Sequence, residues 1–216
     1  MELFRTVAQI WTNRYPEARP RRHSLIEKLL YTPVILCRVF SIGNLKAFVG
    51  EPFGHVFMDV YVLVFAGTLT AVLFAPGCLG RFGALVAAYR IADIVTYRVY
   101  FMLVKSQARP WASDTLRRSL VIAGLNVHET AVGYAILYLT VGTVIAASSA
   151  APRLTTPVSS LYYSVVTMTT LGYGDYVPGD ELTRMLVLAQ MFSAVLFLMF
   201  LIPTLISLFS GSSTRS

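Results

Sequence analysis

Charge is scarce in this chain. Only 13% of its 216 residues are Asp, Glu, Lys or Arg, while 56% are hydrophobic; a water-soluble domain carries about 25% charged residues. Acidic residues are the rarer sign, 11 against 18 Lys and Arg, for a formal net charge of +7. Cysteine is almost absent: Cys37 and Cys78 are the two present, too few for a disulfide framework or a structural zinc site. The three histidines, His23, His55 and His128, are scattered, so no cluster has metal-ligand spacing. No nucleophile motif accompanies them, and hydrolytic chemistry has no residues to carry it. The chain also lacks a basic stripe interleaved with stacking aromatics, which argues against nucleic acid as a partner. Its start, MELFRTVAQIW, leads into PEARPRRHS rather than a small-residue cleavage site, so a signal peptide is not expected.

What is present is apolar sequence at bilayer length. Residues 56–75 are nearly continuous apolar sequence, interrupted by Asp59 and stopped by Pro76-Gly77, and predict a first transmembrane helix. A second span is expected over residues 82–104, although it contains Arg90, Asp93 and Arg98. Arg90 and Asp93, three apart, can pair on one helix face and lower the cost of charge in hydrocarbon, with Asp59 as a further partner. Voltage sensing would need several arginines at three-residue spacing; Arg90 and Arg98 stand eight apart with an acid between them. A structural ion-pair network is the better reading of Asp59, Arg90, Asp93 and Arg98. The third span is expected from Ser119 to about Ala147. His128 and Glu129 within it read as bonded to the neighbouring basic segment or to headgroups, ahead of a pH-sensitive gating pair.

The next elements are short. Thr156-Pro157 predicts a helix start with a cap and a first-turn proline, and the helix should cover residues 158–169. At that length it cannot span a bilayer, which fits a re-entrant helix buried among protein. Residues 167–175 then read TMTTLGYGD. Glycine readily takes left-handed dihedrals, so glycines at 172 and 174 let a short run aim successive carbonyls toward one axis, where oxygens can replace the water shell of a dehydrating cation. Thr170 can add its hydroxyl below them. A last helix is expected over residues 181–209.

These residues resemble the filter of the P-loop potassium channels, bacterial-type, whose TxGYG motif matches Thr170-Leu171-Gly172-Tyr173-Gly174, with Asp175 following. The resemblance implies that the carbonyls of Thr170, Leu171, Gly172 and Tyr173 line K+ sites, with Gly174 completing the filter. It further implies that Tyr162, Tyr163, Val166 and Asp175 support the filter, including a hydrogen bond from Tyr162 to Asp175. Some bacterial relatives place a glutamate at the position of Val166; its absence here removes support for inactivation through a buried carboxylate pair. The hinge glycine common in the family is also missing, with Ser193-Ala194 in that neighbourhood. Ala194 and Pro203 are therefore the candidate gating positions, and bending is expected at Pro203, which removes one helical hydrogen bond.

The expected fold class is an all-α membrane protein: four transmembrane helices plus a re-entrant pore helix and filter, assembled as a tetramer around a central pore. Residues 1–54 form a basic, amphipathic, interfacial segment on the cytoplasmic side that meets anionic lipids. Residues 55–104 hold two additional transmembrane helices, 105–118 a cytoplasmic linker, 119–210 the pore domain, and 211–216 a short cytoplasmic tail. Lys and Arg concentrate before the first span and in 105–118, so both regions and both termini are expected in the cytoplasm of a multi-pass plasma-membrane protein. One TxGYG run per chain implies a homotetramer. Passive K+ conduction without a cofactor and without enzymatic activity is the leading reading. The alternatives are a non-conducting or regulatory subunit that needs a partner chain, and a potassium-transporter subunit.

Overall fold

The computed structural model describes residues 53–75, 79–100, 113–148 and 153–212. The expectations for the basic N-terminal segment, Cys37, Cys78, residues 105–112 and the tail beyond 212 lie outside the described residues. Helix α1 runs Phe53–Phe74. A π-helical turn at Leu79–Gly83, kinked at Gly80, leads into α2, Ala84–Tyr100. Helix α3 is Ser113–Thr140, strand β1 is Val144–Ala146, and α4 is the short Pro157–Met168. Strand β2 is Tyr176–Pro178, and α5, Glu181–Ser212, is the longest element described.

Among the described residues, three helices are long and apolar enough to cross a membrane: Val56–Phe74, Arg118–Thr140 and Glu181–Met199. The chain is thus a mostly helical, multi-pass membrane protein. Helix α2 has 17 residues and three charges and is not among them. Its buried positions, Ala84, Ala87, Arg90, Ile91, Ile94 and Arg98, recur every three or four residues, the spacing of one helix face. That face turns to α3.

Helix α3 is the hub, packing against α1, α2, α4 and α5. Leu69 and Leu73 of α1, Ala87 and Ile91 of α2, and Tyr163 of α4 converge on Val132, Ala135, Ile136 and Tyr138 of α3 in one buried cluster. The expected third span is shorter than its apolar run. Helix α3 ends at Thr140 because both Val141 N–H and Gly142 N–H turn back to the Leu137 carbonyl. A Cβ at Gly142 would fall 3.0 Å from the Tyr138 Cα. Beyond it the β-branched run Thr143-Val144-Ile145 pairs as a strand.

The two strands form an antiparallel clamp, with Val144 opposite Pro178 and Ala146 opposite Tyr176. Ala147 N–H donates to the Asp175 carbonyl at 2.8 Å, and Gly179 N–H to the Thr143 carbonyl at 2.7 Å. Arg153 donates to the Gly142 carbonyl at 2.6 Å. Asp180 caps α5: its Oδ1 accepts from Thr183 N–H at 2.7 Å and from the Thr183 hydroxyl at 2.5 Å. The bond from that hydroxyl, then the bond from the backbone N–H and one from the Thr143 side chain, hold the Asp180 carboxyl below the usual carboxylate range.

Arg90 and Asp93 of α2 are paired inward. Arg90 donates through Nη2 to Glu129 Oε2 at 2.6 Å and through Nη1 to Asp93 Oδ2 at 2.8 Å. Tyr61 also donates to Asp93, at 3.0 Å, and its ring lies under the Arg90 guanidinium, 4.6 Å from the centroid. Glu129 is wholly buried and Arg90 nearly so. Asp59 meets Arg118, with a shortest separation of 2.6 Å at a half-exposed site. Arg98 lies over the ring of Phe197 in α5, 4.7 Å from its centroid. His128 and Glu129, adjacent in sequence, point apart: His128 Nε2 is 3.0 Å from the Thr70 hydroxyl.

Two outcomes are expected from this packing. Glu129→Ala strands part of a buried guanidinium and should destabilise the fold by about 3 kcal/mol. The drop is read as a lower unfolding temperature in detergent, and the apolar double variant Arg90→Met/Glu129→Leu should recover most of it. For Asp180 the folded carboxyl titrates below its unfolded value, so its stabilising contribution is present above about pH 4 and is lost as pH falls through the folded value. Asp180→Asn keeps the cap without the titration. The stability advantage of wild type over this variant should therefore be larger at pH 7 than at pH 3.

Candidate functional site

Helix α4 starts where local chemistry permits. The Thr156 hydroxyl accepts from Ser159 N–H at 3.1 Å, and Pro157 occupies the first turn, where a missing N–H has no partner to lose. Its 12 residues make a rod of about 18 Å, short of a hydrocarbon core of about 30 Å. Its buried face carries Ser160, Tyr163, Ser164 and Val166.

Two serines on a buried face need partners. The Ser160 hydroxyl donates to the Ala135 carbonyl of α3, and the Ser164 hydroxyl to the Ala131 carbonyl at 2.7 Å. From the other side, Gln190 of α5 donates to the Ser164 carbonyl at 2.9 Å and to its hydroxyl oxygen at 2.8 Å. Tyr138 donates to Gln190 Oε1 at 2.7 Å. The rings of Tyr138 and Tyr163 meet edge to face at 4.9 Å, a favoured aromatic geometry.

The last turn of α4 hands the chain to the glycine-rich run. Thr170 N–H bonds the Thr167 carbonyl and Leu171 N–H the Val166 carbonyl, both at 3.1 Å. Then φ alternates in sign: Thr170 at 59°, Gly172 at 56° and Gly174 at 77° are the positive-φ residues, with Leu171 and Tyr173 between them on the negative side. In a regular strand successive carbonyls point to opposite sides. Alternating handedness can instead bring them to one side, and a ladder of oxygens so formed suits a hard, dehydrated cation. Space does not require the glycines, since a Cβ at 172 or 174 would meet nothing within 4 Å. The dihedrals do.

Residues 170–175 are all exposed on the single chain. Tyr162 and Tyr173 stack with ring centroids 6.5 Å apart and planes 5° apart, and Tyr176 meets Tyr162 edge-on. Tyr163 and Val166 are buried behind the run. A cavity of about 260 Å³ separates the run from α5, lined by Val166, Thr167, Tyr173, Val187 and Met191 among others. Ala194 is buried in α5, and the helix is continuous through Pro203. Among the described residues no group of His, Cys, Asp and Glu is placed to hold a metal.

Sequence reasoning passed over Gln190, Ser160, Ser164 and Tyr138. Their signal was present as spacing. Ser160 and Ser164 are one turn apart, as are Tyr134 and Tyr138, and Gln190 is the lone amide of a long apolar helix.

Residues 133–210 match the profile of a family described as "Ion channel". Among curated proteins, two-pore potassium channel 1 of Arabidopsis thaliana is 40% identical over 63 residues, covering 27% of this chain and 17% of that relative. The chain therefore aligns with well under two thirds of that protein. No solved structure matches the chain. The family match opens within α3, encloses α4 and the glycine-rich run, and closes within α5, so the helices and the run just described are the part of the chain similar to ion channels, and the comparisons support an ion channel in the membrane.

Proposed function

We propose that the chain is a potassium-selective channel, conducting K+ passively through a homotetrameric pore lined by the carbonyls of Thr170, Leu171, Gly172 and Tyr173, with Gly174 closing the filter. The observation that carries this reading is the alternation of φ at 170, 172 and 174, the handedness that a one-sided run of carbonyls calls for. The relative from Arabidopsis thaliana, named a potassium channel, supports the choice of ion. Tyr162, Tyr163, Val166 and Asp175 brace the filter from behind.

A single run of carbonyls cannot surround an ion, and four copies about an axis would. Two features support such an assembly. The filter run is exposed on the isolated chain, and α5 presents Leu188, Phe192, Val195 and Met199 to its surroundings, an apolar face that needs lipid or a neighbouring copy. On this reading α3, α4, the filter and α5 form the pore domain of residues 119–210. Helices α1 and α2 are additional membrane helices in 55–104, the fourth span being α2 with its charges turned inward. Residues 1–54, 105–118 and 211–216 are cytoplasmic, the first meeting anionic lipid at the plasma membrane. Bending of α5 near Ala194 and Pro203 opens the pore.

The test is flux in liposomes that contain only the purified chain, under K+ and Na+ gradients. Wild type should carry current that reverses near the K+ equilibrium potential. Gly172→Ala and Gly174→Ala each force an L side chain into the left-handed region at a cost of about 1–2 kcal/mol per chain, summed over the copies in the ring, and each should abolish selective K+ flux. Unchanged flux in either variant, or reversal that follows Na+, would overturn the assignment.

A further inference from the structure

Gln190 is wholly buried in α5, where a primary amide is costly unless its hydrogen-bonding groups are used. They are. The amide nitrogen faces the carbonyl and hydroxyl of Ser164, at 2.9 and 2.8 Å, and the amide oxygen receives the Tyr138 phenol at 2.7 Å. The Ser164 proton is already committed to the Ala131 carbonyl, so its oxygen is an acceptor toward Gln190. The network therefore has one direction throughout. A flipped amide would set its oxygen against the Ser164 carbonyl and lose both bonds to Ser164.

Three helices meet at this one side chain: α5 through Gln190, α4 through Ser164, and α3 through Tyr138 and Ala131. One turn along α5, Ser193 faces Tyr134 with oxygens 3.3 Å apart. The pairs Gln190 with Tyr138 and Ser193 with Tyr134 are thus two rungs between antiparallel helices, and they resist both sliding and rotation of α5. On the other side the link continues toward the ion path. Two and three residues beyond Ser164, the carbonyls of Val166 and Thr167 receive the N–H groups of Leu171 and Thr170, the first two residues of the run. A shift of α4 is therefore delivered to those residues through backbone hydrogen bonds.

We infer that Gln190 is a positioning residue that registers α5 against α4 and so sets the geometry of the carbonyl run, coupling displacement of the pore-lining helix to ion selectivity. The inference rests on the channel reading above. It assigns the α5 amide a role in selectivity although it touches no ion and lies outside the glycine motif.

The experiment compares full-length wild type, Gln190→Leu, Ser164→Ala and the double variant, each purified, checked for intact assembly and recorded in planar bilayers. Gln190→Leu keeps roughly the side-chain volume and removes all three bonds. It should lower the K+ over Na+ permeability ratio by about tenfold, the equivalent of one or two net hydrogen bonds. Ser164→Ala should shift the ratio in the same direction by less, and the double variant should fall short of the product of the two effects. Should Gln190→Leu fail to assemble, Ser164→Ala and Tyr138→Phe carry the test, each expected to lower the ratio. Intact variants with the wild-type ratio, beside a selective wild type, would overturn the role of Gln190 alone. A wild type without K+-selective current would instead overturn the channel reading on which it rests.

Discussion

A backbone whose φ changes sign at every residue is a shape that an isolated peptide does not hold, and the surrounding helices are arranged around keeping it. Thr170 tolerates a left-handed dihedral without being glycine, a conformation L residues avoid. It persists because both ends of the run are tied. Below, Thr170 and Leu171 hang from the last turn of α4; above, the Asp175 carbonyl is held by Ala147. Tyr162 stacks on Tyr173 from the side. The local strain is tolerated because the neighbouring structure over-determines it.

The same economy of polar groups governs the rest of the fold. In a molecule this apolar, each buried hydroxyl, amide or charge must find a partner inside the protein. The serines of α4 find the carbonyls of α3, Gln190 finds Ser164 and Tyr138, and Arg90 finds Glu129 and Asp93. Helix α3 supplies a partner to each of these side chains or to the one it meets: the Ala131 and Ala135 carbonyls to the serines, Tyr138 to Gln190 and Glu129 to Arg90, which explains why it sits at the centre. Its tyrosines and backbone oxygens face α4 and α5, and its one buried acid faces α2.

Features that rest on local chemistry were legible in the sequence. Thr156-Pro157 states a helix start within two residues, and Gly172-Tyr173-Gly174 states a left-handed requirement without reference to any other part of the chain. Arg90 and Asp93 are legible because three residues bring them to one face. The missed contacts are those whose halves lie far apart in sequence. Glu129 is 39 residues from Arg90 and Gln190 is 26 from Ser164; neither pairing has a local signature. The end of α3 was misread for a related reason. Residues 141–147, VGTVIAA, are as apolar as the helix before them, and only the partner strand at 176–178 tells strand from helix. Residues 101–104 of the expected second span lie outside the described residues, and over Ala84–Tyr100 the length and charges of α2 keep it from being an unambiguous span.

The antiparallel clamp between β1 and β2 has a consequence for how such chains would come together. Because the glycine run is anchored at both ends within one polypeptide, in the proposed tetramer each subunit would reach its neighbours with its share of the ring already shaped. Association in that assembly would have to supply proximity and symmetry to a run whose shape is already held within the chain.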